Sequence, residues 1–182
     1  MTSQLPLDLG HKRPSLDRVD FLVAPCNEAA VAWLDRWPDW PAPALVLYGP
    51  EASGKSHLAR VWAARSGAVA IDPRALTTAA VPELLGAARA AVIDDVERAG
   101  EEPLLHFFNL IAERGGHLLV IARDAPARAG IALDDLRSRL VACPTVAVAA
   151  PDEALLDQAS LAAQRPITAR LARQVLGFDG AR

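Results

Sequence analysis

Two cysteines, one methionine, one tyrosine and two lysines are all that this chain of 182 residues contains of those types. Cys26 and Cys143 stand alone, so no disulfide framework is available, and no Cys/His cluster has zinc spacing. Both read as small core residues of a protein kept in a reducing compartment, and the expected location is cytoplasmic. Long hydrophobic runs are also missing. No stretch approaches the length of a membrane span, and residues 1–12 lack the basic-then-apolar layout of a secretory leader. A surplus of positive charge is missing too: 19 Lys and Arg face 22 Asp and Glu, for a net charge of −3. The arginines are spread along the chain, which leaves no basic face for strong direct DNA binding. What remains is globular, 52% hydrophobic and 23% charged, with length for one well-buried domain and a small appendage.

Apolar runs at Ala44–Tyr48, 68–71, Ala90–Ile93, 117–121 and 145–149 read as five strands. Helical spacing at 27–37, 56–65, 81–89, 104–114 and 133–140 alternates with them. Strands and helices alternating at these lengths predict an α/β fold, a doubly wound parallel five-stranded sheet with helices on both faces. Residues 1–15, with Pro6, Gly10 and Pro14, read as a flexible tail, and 16–150 as the core domain. Two further helical stretches, 152–163 and 169–176, are separated by Pro166.

One of the two lysines lies in the chain's most specific motif. Gly49, Pro50, Glu51, Ala52, Ser53, Gly54, Lys55 and Ser56 match the phosphate-loop pattern G-x-x-x-x-G-K-[ST]. A strand that breaks into this loop and restarts as a helix points backbone N–H groups and a positive helix end at one spot, where a triphosphate fits. ATP or ADP is the expected ligand, with Lys55 at the β/γ-phosphates, Ser56 on Mg²⁺, and His57 following in the helix. The glycines let the backbone curl around the anion, and a Cβ at Gly54 is expected to obstruct it.

Asp94 and Asp95 close the third strand, where nucleotide hydrolases place the acidic pair that handles Mg²⁺ and water. Asp94 is the expected metal partner and Asp95 the candidate to polarise water, with Glu97 as alternative. Two acids ending a buried strand also suit simple exposure to solvent. Arg137 and Arg139 precede the last strand; either can serve a nucleotide on a neighbouring subunit, or pair locally with Asp134 or Asp135. In the tail, Leu5, Leu7 and Leu9 alternate after Gln4 and share one face of an extended segment, as suits a groove on a partner or a sheet edge.

Gly54–Ala59, Ile93–Val96 and Asp135–Leu140 together resemble the AAA+ module of the DnaA-related family, and within it the shorter Hda-type regulatory inactivators of DnaA. The resemblance covers about residues 3–150. It implies that Gln4, Leu5, Leu7 and Leu9 dock on the replicative sliding clamp, the β subunit of DNA polymerase III. It implies that Arg139 is an arginine finger acting on ATP held by DnaA, to the detriment of replication initiation. It implies that residues 21–27 line an adenine pocket, and that either Arg123 or Asp124 occupies the first sensor position. Residues 151–182 match a shortened helical lid with no assignable second sensor arginine. Little or no ATP hydrolysis by the chain alone is therefore expected, and a homodimer in which a second copy covers the site is one way to complete it. The rival expectations are an autonomous P-loop ATPase or kinase, a nucleotide-gated clamp adaptor that promotes no hydrolysis, and a paralogue that only competes for the clamp.

Overall fold

The run Ala44–Tyr48 is apolar on both sides, which suits a strand covered on both faces and no other kind. In the computed structural model, which describes residues 23–150, it is β1, and its alternate residues do enter two separate cores. The chain runs α1 (Glu28–Asp35), β1, α2 (Lys55–Ser66), β2 (Val69–Ile71), α3 (Val81–Leu85), β3 (Ala90–Ile93), a 3-10 turn (Val96–Arg98), α4 (Glu101–Glu113), β4 (His117–Ala122), α5 (Asp134–Val141) and β5 (Thr145–Ala147). All five strands are parallel, in the order β2-β3-β4-β1-β5.

Ala44 and Val46 face a core built with Val81 and Leu85 of α3, Leu104, Phe107, Phe108 and Ile111 of α4, and Leu136 and Leu140 of α5. Leu45 and Leu47 face the other, built with Ala30, Val31 and Leu34 of α1 and Leu58, Ala59 and Trp62 of α2. Helices thus cover both faces, as the alternation predicts. Burying a side chain such as Phe107 or Leu118, both fully enclosed, contributes about 1.5–3 kcal/mol each.

Three local readings change. The third helix ends at Leu85 rather than continuing to residue 89, because Gly86 adopts φ +52 and its N–H closes the turn on the Pro82 carbonyl. The fourth starts earlier, at Glu101, with Pro103 in its first turn where a missing N–H costs nothing. The 3-10 turn after β3 has no counterpart in the periodicity. Cys143 is buried as expected, whereas Cys26 is only half-buried and its carbonyl accepts the Ala149 N–H. The tail and the lid stretch, including Gln4, Leu5, Leu7 and Leu9, lie outside the described residues. Among the described residues no helix is long and apolar enough to cross a membrane.

The register decides where chemistry can occur. Tyr48 pairs with Ala122 and Ile93 with Val120, so β1, β4 and β3 end side by side. Their next residues, Gly49, Arg123 and Asp94, therefore emerge along one edge of the sheet. That carboxyl edge is where open α/β sheets hold ligands.

Candidate functional site

The loop after β1 begins under constraint. Gly49 still donates its N–H to the Ala122 carbonyl of β4 at 3.3 Å, and a Cβ on it would lie 2.1 Å from the Val148 carbonyl oxygen. Its φ of +152 is a second reason for glycine. Gly54, at φ +93, caps the start of α2. A Cβ there meets no atom within 4 Å, so its glycine is needed for conformation rather than for want of space within the protein. Between them Ala52 takes a positive φ of 58, and Asp95 across the cleft takes 52. These two non-glycine residues in the left-handed region both line one cleft of about 420 Å³, and strain of that kind concentrates at functional sites.

The cleft is lined by Glu51, Ala52, Ser53, Gly54, Lys55, Ser56 and His57 from the loop and α2, by Asp94 and Asp95 from the end of β3, and by Arg123 from the end of β4. The sequence pattern singled out the loop residues and the two aspartates, and the family resemblance pointed to Arg123 or Asp124; Arg60, Arg98, Ile121 and Ala122 also line the cleft. Gly49 and Pro50 stand behind the cleft and act through their carbonyls. The Lys55 ammonium is buried and donates to Gly49 O at 2.7 Å, Pro50 O at 2.6 Å and Ser53 Oγ at 3.2 Å. It therefore lies folded onto its own loop rather than extended across the cleft. Burial lowers its pKa below the ordinary lysine value, and the nearby carboxylates of Asp94, Glu97, Asp95 and Glu51 oppose that shift.

Asp94 Oδ1 accepts the Asp95 N–H at 2.9 Å, which fixes the turn after β3. Asp95, the candidate for polarising water, is engaged with Arg98 at 3.3 Å. Glu97, the alternative, accepts the backbone N–H of Arg123. Both acids are thus held by local partners. Arg123 reaches back across the mouth of the cleft to Glu51, Nη2 to Oε1 at 2.7 Å. Asp124 is exposed and does not line the cleft, so of the two residues considered for the sensor position Arg123 is the one at the site.

The residues present fit a phosphate chain: the start of a helix, whose first N–H groups point into the cleft, an ammonium gathered with carbonyls it can exchange, and a carboxylate that suits a bridging cation. For a metal the donor set is thin. Among the described residues no three His, Cys, Asp or Glu side chains converge as ligands. Ser56 and Asp94 alone suit Mg²⁺, which binds through one or two protein oxygens, phosphates and water.

On α5 the two arginines part company. Arg137 Nη2 pairs with Asp134 Oδ1 at 2.7 Å, one turn back on the helix, so the local reading holds for it. Arg139 is exposed, lies outside the cleft lining, and has no ion pair to its guanidinium among the described residues. The helix that carries it is held in place by Glu101, whose carboxylate oxygens accept the N–H groups of Ala132 at 3.0 Å and Leu133 at 2.6 Å.

No protein-family model and no curated protein matches the chain. Solved structures do. Domain III of the Thermotoga maritima replication initiation protein DnaA aligns at 19% identity over 82% of this chain and 73% of its own, with a TM-score of 0.65. AMPPCP-bound DnaA from Aquifex aeolicus aligns at 19% identity over 74% and 50%, with a TM-score of 0.60. Cdc6p from Pyrobaculum aerophilum aligns at 15% identity over 89% and 51%, with a TM-score of 0.52. The chain spans about half the length of the last two. At these identities the likeness speaks of the fold alone, an α/β fold shared with these DnaA and Cdc6p structures.

Proposed function

We propose that this chain is a nucleotide-binding regulator of replication initiation of the Hda type. In this reading it binds ATP or ADP at the loop 49–56, docks on the sliding clamp through Gln4, Leu5, Leu7 and Leu9, and presents Arg139 to ATP bound on DnaA. The single observation that carries it is the contrast on α5, where Arg137 is paired with Asp134 while Arg139, exposed and outside the lining of the chain's own cleft, has no ion pair among the described residues. A guanidinium placed that way serves another molecule's γ-phosphate better than its own, since added positive charge accelerates phosphoryl transfer most where charge develops. The nucleotide-bound state of the A. aeolicus relative supports adenine nucleotide as ligand.

Within the chain's own site, Lys55 would release its loop carbonyls to meet the β/γ-phosphates, and the N–H groups at the start of α2 would hold the oxygens facing them. Mg²⁺ would supply charge neutralisation between the phosphates, with Ser56 and Asp94 to hold it. To activate water, Asp95 and Glu97 would each have to leave a partner, Arg98 and the Arg123 N–H, which is in keeping with weak turnover by the chain alone. The test is release of phosphate from radiolabelled ATP on DnaA, with and without this chain and DNA-loaded clamp. Stimulation that needs both supports the reading. Turnover at the same rate by the chain alone would instead make it an autonomous ATPase. Clamp binding without stimulation would make it a nucleotide-gated adaptor.

A further inference from the structure

Each of two cations in the cleft is held by an oxygen of the protein. For Lys55 the acceptors are neutral, two carbonyls and a hydroxyl. For Arg123 the acceptor is a full carboxylate, Glu51, contributed by the phosphate loop itself. The backbone of Arg123 is fixed from below, because Glu97 accepts its N–H, so the guanidinium is the part that can change partner. It lines the same cleft as Asp94 and Asp95, which would repel an anion, and adds positive charge there beside Arg98. We infer that Glu51 is a resident anion competing with phosphate for Arg123, so that nucleotide binding exchanges one anion for another at this guanidinium. Glu51 then sets both the affinity and the preference for a triphosphate.

The inference rests on the nucleotide reading of the site and adds to it a residue that works against binding. Chemistry favours the exchange: a guanidinium presents a planar fork of donors that phosphate oxygens match in pairs. The exchange is also easy. The side chains of Arg123 and Glu51 are 52% and 78% exposed, and ion pairs so open to water are weak, which caps the effect of Glu51 at about fivefold in affinity. A diphosphate, held by Lys55 and the loop N–H groups, leans on Arg123 less than a triphosphate does. Removing the competitor therefore raises ATP affinity more than ADP affinity.

The experiment is calorimetry of MgATP and MgADP binding to the full chain, to Glu51→Gln, to Arg123→Ala and to the double variant. Both side chains are exposed, so the variants fold, and unchanged melting temperatures check this. Expected is a gain in ATP affinity of about two- to fivefold in Glu51→Gln, a smaller gain for ADP, and a loss for ATP in Arg123→Ala. In the Arg123→Ala background Glu51→Gln should then change nothing, because no guanidinium remains to be released. A gain of the same size in that background would overturn the inference, since it would mean that Glu51 merely repels phosphate. Equal ATP affinity in Glu51→Gln and the natural chain would overturn it as well. Absence of binding by the natural chain would overturn the phosphate-site reading first, and this inference with it.

Discussion

Gly49 has less freedom than any other residue of the site, because a methyl group on it would collide with the Val148 carbonyl of the chain segment beyond β5. Gly49→Ala should lower stability by about 2 kcal/mol or more, since backbone must move and the φ is unfavourable; an unchanged urea midpoint would contradict this. Lys55→Ala should abolish nucleotide binding, because the remaining N–H cradle is a weaker anion site than one with an ammonium. ATP and ADP affinities unchanged in calorimetry would remove Lys55 from the site. His117 carries a pH dependence whose sign follows from its surroundings. It lies edge-on to Trp40 and Trp37 at centroid distances of 5.5 and 6.4 Å. Burial lowers its pKa below the ordinary histidine value, with Asp39 opposing the shift. The unfolded chain then takes up the proton first as pH falls, so this contribution to stability is intact above about pH 6.5 and lost below it. His117→Gln should melt with a shallower fall as pH drops below about 6.5 than the natural chain, and parallel curves would exclude the effect.

At the scale of elements, α5 is the helix to test. Arg139→Ala should leave nucleotide and clamp binding unchanged and reduce stimulated hydrolysis on DnaA by a factor on the order of 10³. Arg137→Ala should matter much less, because its charge is already paired with Asp134. Equal loss in the two variants would sink the assignment. The elements themselves were legible to different degrees for physical reasons. β1, β3 and β4 stand out because strands buried on both faces are apolar throughout and stop at glycine, aspartate or arginine. The third helix is overextended in the periodicity because Ala87 and Ala88 favour helix locally, whereas Gly86, at a positive φ of 52, ends it. The phosphate loop was legible because its spacing is fixed within eight residues. The pairs that close the cleft were not, since Glu97 and Glu51 reach Arg123 from the ends of different strands, and only strand order brings those ends together.

For the molecule as a whole, Gln4→Ala with Leu5→Ala should remove clamp binding while melting temperature and nucleotide affinity stay as they were, since a short peptide depends on a few anchors. Co-elution of the double variant with the clamp at micromolar concentration would contradict it. The sheet has two ends with different contents. The carboxyl ends of the strands hold the phosphate loop, whereas Trp37, Trp40 and Trp62 gather around His117 at the start of β4, with Trp40 stacked on Trp62 at 5.4 Å and Trp37 edge-on to it at 5.9 Å. Trp33 joins the same group through its carbonyl, which accepts the Trp40 indole N–H at 2.8 Å. All four tryptophans of the chain are therefore at the end away from the phosphate loop. Trp62 and Lys55 share α2, about 10 Å apart along its axis, so that helix is the direct mechanical link between the two ends. Intrinsic fluorescence is consequently an optical readout of unfolding, and a change in emission on adding nucleotide would report a change in the surroundings of these tryptophans rather than direct contact with the ligand.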